Sequence, residues 1–202
     1  IMSIVTLNNR ALKDATAVGS ITGLGDLVFI SRSTASSSSS LSITSGIDST
    51  YKEYIFIFNN IHPATDNVEF LVNFSIDGGS NYNVTKTSTY FHAYNNEAGD
   101  STSLGYFTAG DLAQSTNYQP IVNQVGNGND ESVSGFMHLF DPSNTTFAKH
   151  FICTSNFYAY NNYTQNPFVA GYANTTSAIN AVDFKMESGN MDSGTIDLYG
   201  VN

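Results

Sequence analysis

Among the residues able to do chemistry, four histidines stand out in this 202-residue chain: His62, His92, His138 and His150. His138 and His150 flank the turn Asp141-Pro142-Ser143-Asn144-Thr145, and a hairpin of suitable register would set them opposite each other. Two imidazoles at that distance, joined by a third ligand from elsewhere or from another subunit, make a zinc site; otherwise they are ordinary polar residues on a sheet face. The run Asn127-Gly128-Asn129-Asp130-Glu131 gathers oxygen ligands that calcium accepts, but it lacks the EF-hand spacing, and Asn-Gly turns commonly hold no ion. A glycosidase needs an acid and a base roughly 5–9.5 Å apart. Here Asp48, Asp66, Asp77, Asp100, Asp130, Glu131 and Asp192 fall in turns, and Glu53, Glu69 and Glu187 in strands with an expected solvent-facing side. No Gly-x-Ser-x-Gly elbow, phosphate loop or dinucleotide fingerprint is present. The residues therefore read as non-enzymatic, with no catalytic residue, cofactor or metal assigned.

What remains are tyrosines beside amides in turn-rich stretches: Tyr94, Tyr106, Tyr118, Tyr158, Tyr160 and Tyr163, with Tyr90 close by. Flat aromatic faces next to amides suit saccharide or protein contact at low entropic cost. The alternative is that they pack loops onto the domain or fill a seam between subunits.

The elements that must carry these residues read as strands. Residues 27–31 are a short apolar strand, and Leu41 and Ile43 alternate with Ser42 and Thr44. Residues 54–58, Tyr-Ile-Phe-Ile-Phe, are continuously apolar and predict a central strand buried on both faces. In residues 67–77, Val68, Phe70, Val72, Phe74 and Ile76 share one face, and Asp77-Gly78-Gly79-Ser80 predicts a hairpin turn into 81–89. Residues 90–130 look like a long irregular excursion of the kind that is often functional or interfacial. Strands are expected again at 132–140, 146–154 and 168–173, with a tyrosine-rich loop at 157–163. Val182, Phe184 and Met186 on 179–187, and Ile196 and Leu198 on 194–201, predict a closing hairpin about Ser188-Gly189-Asn190. About ten short strands with no long amphipathic helix predict an all-β, two-sheet antiparallel sandwich of jelly-roll type over residues 25–202. Residues 1–24, with Ile4, Val5 and Leu7, read either as an arm docking on a neighbouring chain or as an edge strand folded back.

Composition supports β-structure. Charged residues make up 12% of the chain, so polarity comes from Ser, Thr, Asn and Gly, which suit strand faces and turns. Seven scattered Lys and Arg against a net charge of −10 exclude a phosphate-binding stripe and disfavour nucleic acid and anionic membranes. No stretch is long and apolar enough to span a bilayer as a helix, and residues 1–7 are too short for a signal-peptide core. The single cysteine, Cys153, reads as a small buried hydrophobe.

Five segments, residues 41–54, 60–67, 139–151, 171–179 and 189–200, together resemble a virion structural, tail-fibre-type protein family recurrent in marine bacteriophage genomes. They span most of the chain from Leu41 onward. The resemblance implies a virion protein, a homotrimer, whose arm docks on other virion proteins and whose β-domain faces outward. It leaves open a host-attachment tip contacting a surface glycan or protein, a tail or collar part, and a capsid-decorating role. Rival readings are a lectin-like carbohydrate-binding module and a polysaccharide depolymerase. No site residue follows from the resemblance.

Overall fold

The computed structural model describes residues 27–202, so the expected docking arm at 1–24 lies outside the described residues. Regular structure in them is all-β and antiparallel: β1 Leu27–Thr34, β2 Leu41–Ile43, β3 Glu53–Pro63, β4 Val68–Ser75, β5 Lys86–Asn96, β6 Thr102–Tyr106, β7 Gln119–Val125, β8 Val133–Phe140, β9 Lys149–Ala159, β10 Tyr163–Ala173, β11 Ala181–Met186 and β12 Met191–Val201. Two runs of hydrogen-bonded neighbours result. One is β1-β12-β3-β8-β9-β10-β5-β6; the other is β2-β11-β4-β7. Val125 of β7 pairs with Ala159 of β9 and ties the runs into one sheet that curls back to near closure.

Curling brings the inward-facing side chains of the two runs together, and period-2 alternation decides which ones. Phe56 and Phe58 of β3 meet Phe184 of β11 with ring centroids 5.5 and 5.3 Å apart, and Phe58 meets Phe70 of β4 at 5.5 Å. Phe74 of β4 meets Phe151 of β9 at 5.4 Å. Cys153 is buried in this core, and burial pushes its thiol pKa up, away from the reactive thiolate.

Several expectations are corrected. The two last strands exist, with Val182, Phe184, Met186, Ile196 and Leu198 all buried, but they do not form a hairpin. β11 pairs with β2 and β4, whereas β12 pairs with β1 and β3, so the 187–190 turn carries the chain from one run to the other. Asp77-Gly78-Gly79-Ser80 likewise leads across and not into a hairpin, because β5 pairs with β6 and β10. Ile76 is exposed, past the end of β4. The 90–130 stretch contains most of β5 and all of β6 and β7, and the 157–163 loop shrinks to a turn between β9 and β10. Residues 54–58 do form a central strand, yet Tyr54, Phe56 and Phe58 are buried while Ile55 and Ile57 are half-buried on the outward face.

Close approach of β8 and β9 requires one glycine. A Cβ on Gly135 would lie 2.5 Å from the Ser155 Cα and from the Thr154 carbonyl oxygen, both backbone atoms with no room to yield. We expect Gly135→Ala to destabilise the fold by about 1–3 kcal/mol, read as a lower urea midpoint with an unchanged slope.

Candidate functional site

One end of the long run concentrates the recesses and most of the tyrosines singled out from the sequence. On the inward face of β5 the alternation sets Tyr90, His92 and Tyr94 in a row. The register of β10 places Gln165 opposite Tyr94, Pro167 opposite His92 and Val169 opposite Tyr90. Tyr90 is fully buried at the base and donates its hydroxyl to Asn123 Oδ1 at 2.9 Å. Above it the His92 ring stacks on Phe107 at 5.4 Å and meets the Tyr94 ring edge-on at 5.8 Å. Tyr94 in turn stands edge-on to Tyr163 at 5.5 Å. An open recess of about 230 Å³ is left, lined by His92, Tyr94, Gln124, Asn161, Tyr163 and Gln165. Gln124 is held at φ +58°, the left-handed region, a cost that non-glycine residues bear when their surroundings impose it.

One polar atom on this wall, Gln165 Oε1, is buried without a hydrogen-bond partner. Burial holds His92 below its ordinary pKa, opposed by a side-chain hydrogen bond with Asn123, so the imidazole is neutral near pH 7. No charged side chain lines the recess.

The outward face of the same strand ends carries a second, larger hollow of about 470 Å³, lined by Asn95, Asn96, Glu97, Asn156, Phe157, Tyr158 and Thr164. Tyr158 donates to Glu97 Oε1 at 2.6 Å, and the carboxylate pushes its hydroxyl pKa up to about 12. Tyr160 is exposed in the adjoining turn. Tyr94, Tyr158, Tyr160 and Tyr163 thus share one end of the molecule. The other two sit elsewhere. Tyr106 pairs with Phe91 on the outward face and donates to Asp111 at 2.6 Å. Tyr118 donates to Asp183 at 2.9 Å, and its ring lies under the Lys185 ammonium at 4.3 Å, beside the short run.

The possible His138–His150 pairing does not form. Register sets His138 opposite Ile152; its Nδ1 meets Glu53 Oε1, while the His150 ring faces Tyr172. In the 127–131 loop one carboxylate oxygen and one side-chain amide turn to the backbone. Glu131 Oε2 accepts from Gly128 N at 2.5 Å, and Asn127 Nδ2 donates to the Ala64 carbonyl at 3.2 Å. Among the described residues no group of three or more His, Cys, Asp or Glu is arranged to hold a metal ion. Glu69 and Glu187 are neighbours across β4 and β11, where Glu187 N donates to Glu69 O at 2.9 Å. Burial first, and the Glu187 charge second, raise the Glu69 pKa. Neither residue lines the recesses described above.

His92 was visible in the sequence as a histidine without a place, and Gln165 was missed. The available signal was an amide at an inward position of the alternation Tyr163-x-Gln165-x-Pro167-x-Val169. The chain matches no family model, no curated protein and no solved structure.

Proposed function

We infer that this chain is a non-enzymatic structural component of a bacteriophage particle, a tail-fibre, appendage or capsid-decorating protein serving assembly and host attachment. In this reading residues 25–202 are a jelly-roll sandwich that associates with copies of itself as a homotrimer, and the segment before it docks on other virion proteins.

Strand order supports the jelly-roll part. A jelly roll pairs its first strand with the eighth, the eighth with the third and the third with the sixth; its second layer runs second, seventh, fourth, fifth. The run β2-β11-β4-β7 follows the first rule. The run β3-β8-β9-β10-β5-β6 follows the second if the meander β8-β9-β10 stands in for the seventh strand. Three antiparallel strands enter and leave in the same directions as one, so the substitution preserves topology. β1 and β12 then extend the layer beyond β3.

The observation that carries association is an aromatic band across the outward face of the long run. Cross-strand register aligns Phe29, Tyr199, Ile55, His138 and Ile152 in one row. The next row aligns Ile57, Phe136, Thr154, Phe168, Phe91 and Tyr106. Phe29 is 54% exposed, Phe136 40%, Tyr106 53% and nearby Leu104 72%. Soluble monomers rarely leave contiguous apolar surface of this kind uncovered, and burying it between copies offsets the cost.

Light scattering coupled to gel filtration tests this. The full chain is expected to run as a trimer, and Phe136→Ser with Phe91→Ser to run as a monomer with an unchanged far-ultraviolet spectrum. A wild-type chain that stays monomeric at high micromolar concentration would overturn the association. A second reading, a lectin-like carbohydrate-binding module, is favoured by the aromatic and amide lining of the β5–β10 recess and is compatible with attachment.

A further inference from the structure

We propose that the recess formed by His92, Tyr94, Gln124, Asn161, Tyr163 and Gln165 is a subsite for a single neutral sugar ring. The proposal deepens the attachment reading by naming a ligand class and the atoms that would recognise it. Three independent features of the recess lead there.

The first is an orphaned acceptor. Gln165 is 5% exposed and its Oε1 has no partner. A buried acceptor left unpaired is destabilising, and the great majority of such groups in folded proteins are satisfied by protein or ordered solvent. Gln165 Oε1 is an acceptor. The missing partner is therefore a donor, and a pyranose carries several hydroxyl donors on a small ring.

The second is the wall. The edge-on rings of Tyr94 and Tyr163 offer flat apolar surface to the C–H face of a sugar, and both hold their positions without a flexible loop because each lies in a strand paired to the other. The third is size and charge. At about 230 Å³ the recess falls below the roughly 300–1,000 Å³ of sites for drug-sized ligands, which fits one ring or one chain end. Its lining has no cation to pair with a carboxylate sugar and no anion to capture an amino sugar. Rim amides from Gln124 and Asn161 would bond the hydroxyls pointing outward.

Saturation-transfer NMR on the full chain with the methyl glycosides of glucose, galactose, mannose and N-acetylglucosamine, and with sialic acid as the charged control, tests the assignment. At least one neutral glycoside is expected to receive saturation and the control none. Gln165→Leu is expected to weaken binding roughly tenfold while leaving the melting temperature equal or higher, since it removes an unpaired buried acceptor. A purely structural Gln165 would not show that combination. Tyr94→Leu gives a second route should the first variant fold poorly, and is expected to abolish the transfer signal. No transfer to any neutral glycoside, undiminished binding in both variants, equal transfer to sialic acid, or response to an uncharged peptide pool alone would each overturn the proposal. Monitoring oligomeric state in the same samples separates it from the association: a trimer that binds no sugar sinks the subsite alone, and a sugar-binding monomer sinks the association alone.

Discussion

Phe184→Ala is expected to lower the unfolding free energy by about 3–5 kcal/mol, among the largest losses a single truncation can cause here. Phe184 is fully buried, and its ring contacts three others: Phe56 at 5.5 Å, Phe58 at 5.3 Å and Phe70 at 5.9 Å. Two of those rings belong to β3 in the long run and the third to β4 in the short run. Truncation removes transfer free energy, opens a cavity, and deletes aromatic pairs worth about 0.5–1.5 kcal/mol each beyond their area. The strand itself cannot collapse into the gap, because β11 is hydrogen-bonded on both sides, to β2 and to β4. For a chain of this size the loss corresponds to a melting temperature lower by about 6–20 °C. Phe91→Ala, on the outward aromatic band, is the control and should cost below about 1 kcal/mol in the monomeric chain. Equal losses in the two variants, measured by urea unfolding, would mean that the meeting of the two runs is not where the stability resides.

That contrast also explains what was readable in the sequence. Alternation identifies the buried face of a strand from its own residues, so Val182, Phe184 and Met186, or Ile196 and Leu198, were legible as inward. It does not name the partner strand, because any neighbour that buries the same face satisfies it equally. The short 187–190 turn therefore passed for a hairpin although the strands it joins lie in different runs. The part of β5 beyond residue 89 escaped because Asn95-Asn96 and Gly99 read as turn chemistry, while the inward row Tyr90, His92, Tyr94 was interleaved with Phe91, which is half-exposed and apolar. The continuous run 54–58 was read as buried twice over; Ile55 and Ile57 instead lie half-buried on the outward face, where they extend the aromatic band. Of the recess, Tyr94 and Tyr163 were identifiable by type. Their convergence with His92 and Gln165 depends on the β5–β10 register, which single-strand patterns do not encode.

Lys86 was invisible for a related reason: nothing in Val84-Thr85-Lys86-Thr87-Ser88 distinguishes an inward lysine from an outward one. It is fully buried, and its ammonium donates to Asn73 Oδ1 at 2.6 Å and to the Val84 carbonyl at 2.8 Å. Asn73 is fixed in turn, donating to the carbonyls of Tyr82 at 2.6 Å and Thr116 at 3.1 Å. Both acceptors of Lys86 are uncharged, so desolvation acts without a compensating carboxylate and lowers its pKa to about 7. The unfolded chain keeps that proton up to about 10.5, the ordinary lysine value. Between those limits the unfolded state binds more protons at this residue than the folded one, so the Lys86 contribution to stability rises with pH across roughly 7 to 10.5, opposed above about pH 9 by the buried Cys153 thiol, which ionises only on unfolding. Below pH 7 the amine is charged in both states and its burial cost is present in full, on the order of 4–5 kcal/mol. Lys149, also buried and also shifted down, pushes in the same direction. Lys86→Met fills the same volume without a charge to desolvate. It is expected to be more stable than wild type by roughly 2 kcal/mol or more at pH 6.5, the lost hydrogen bonds to Asn73 and Val84 offsetting part of the gain. Its advantage should shrink at pH 9.5, where the wild-type amine is neutral. Urea midpoints of both chains at the two pH values decide the matter. Parallel pH profiles would show that Lys86 keeps its proton in the folded state and that water, not bare desolvation, sets its environment.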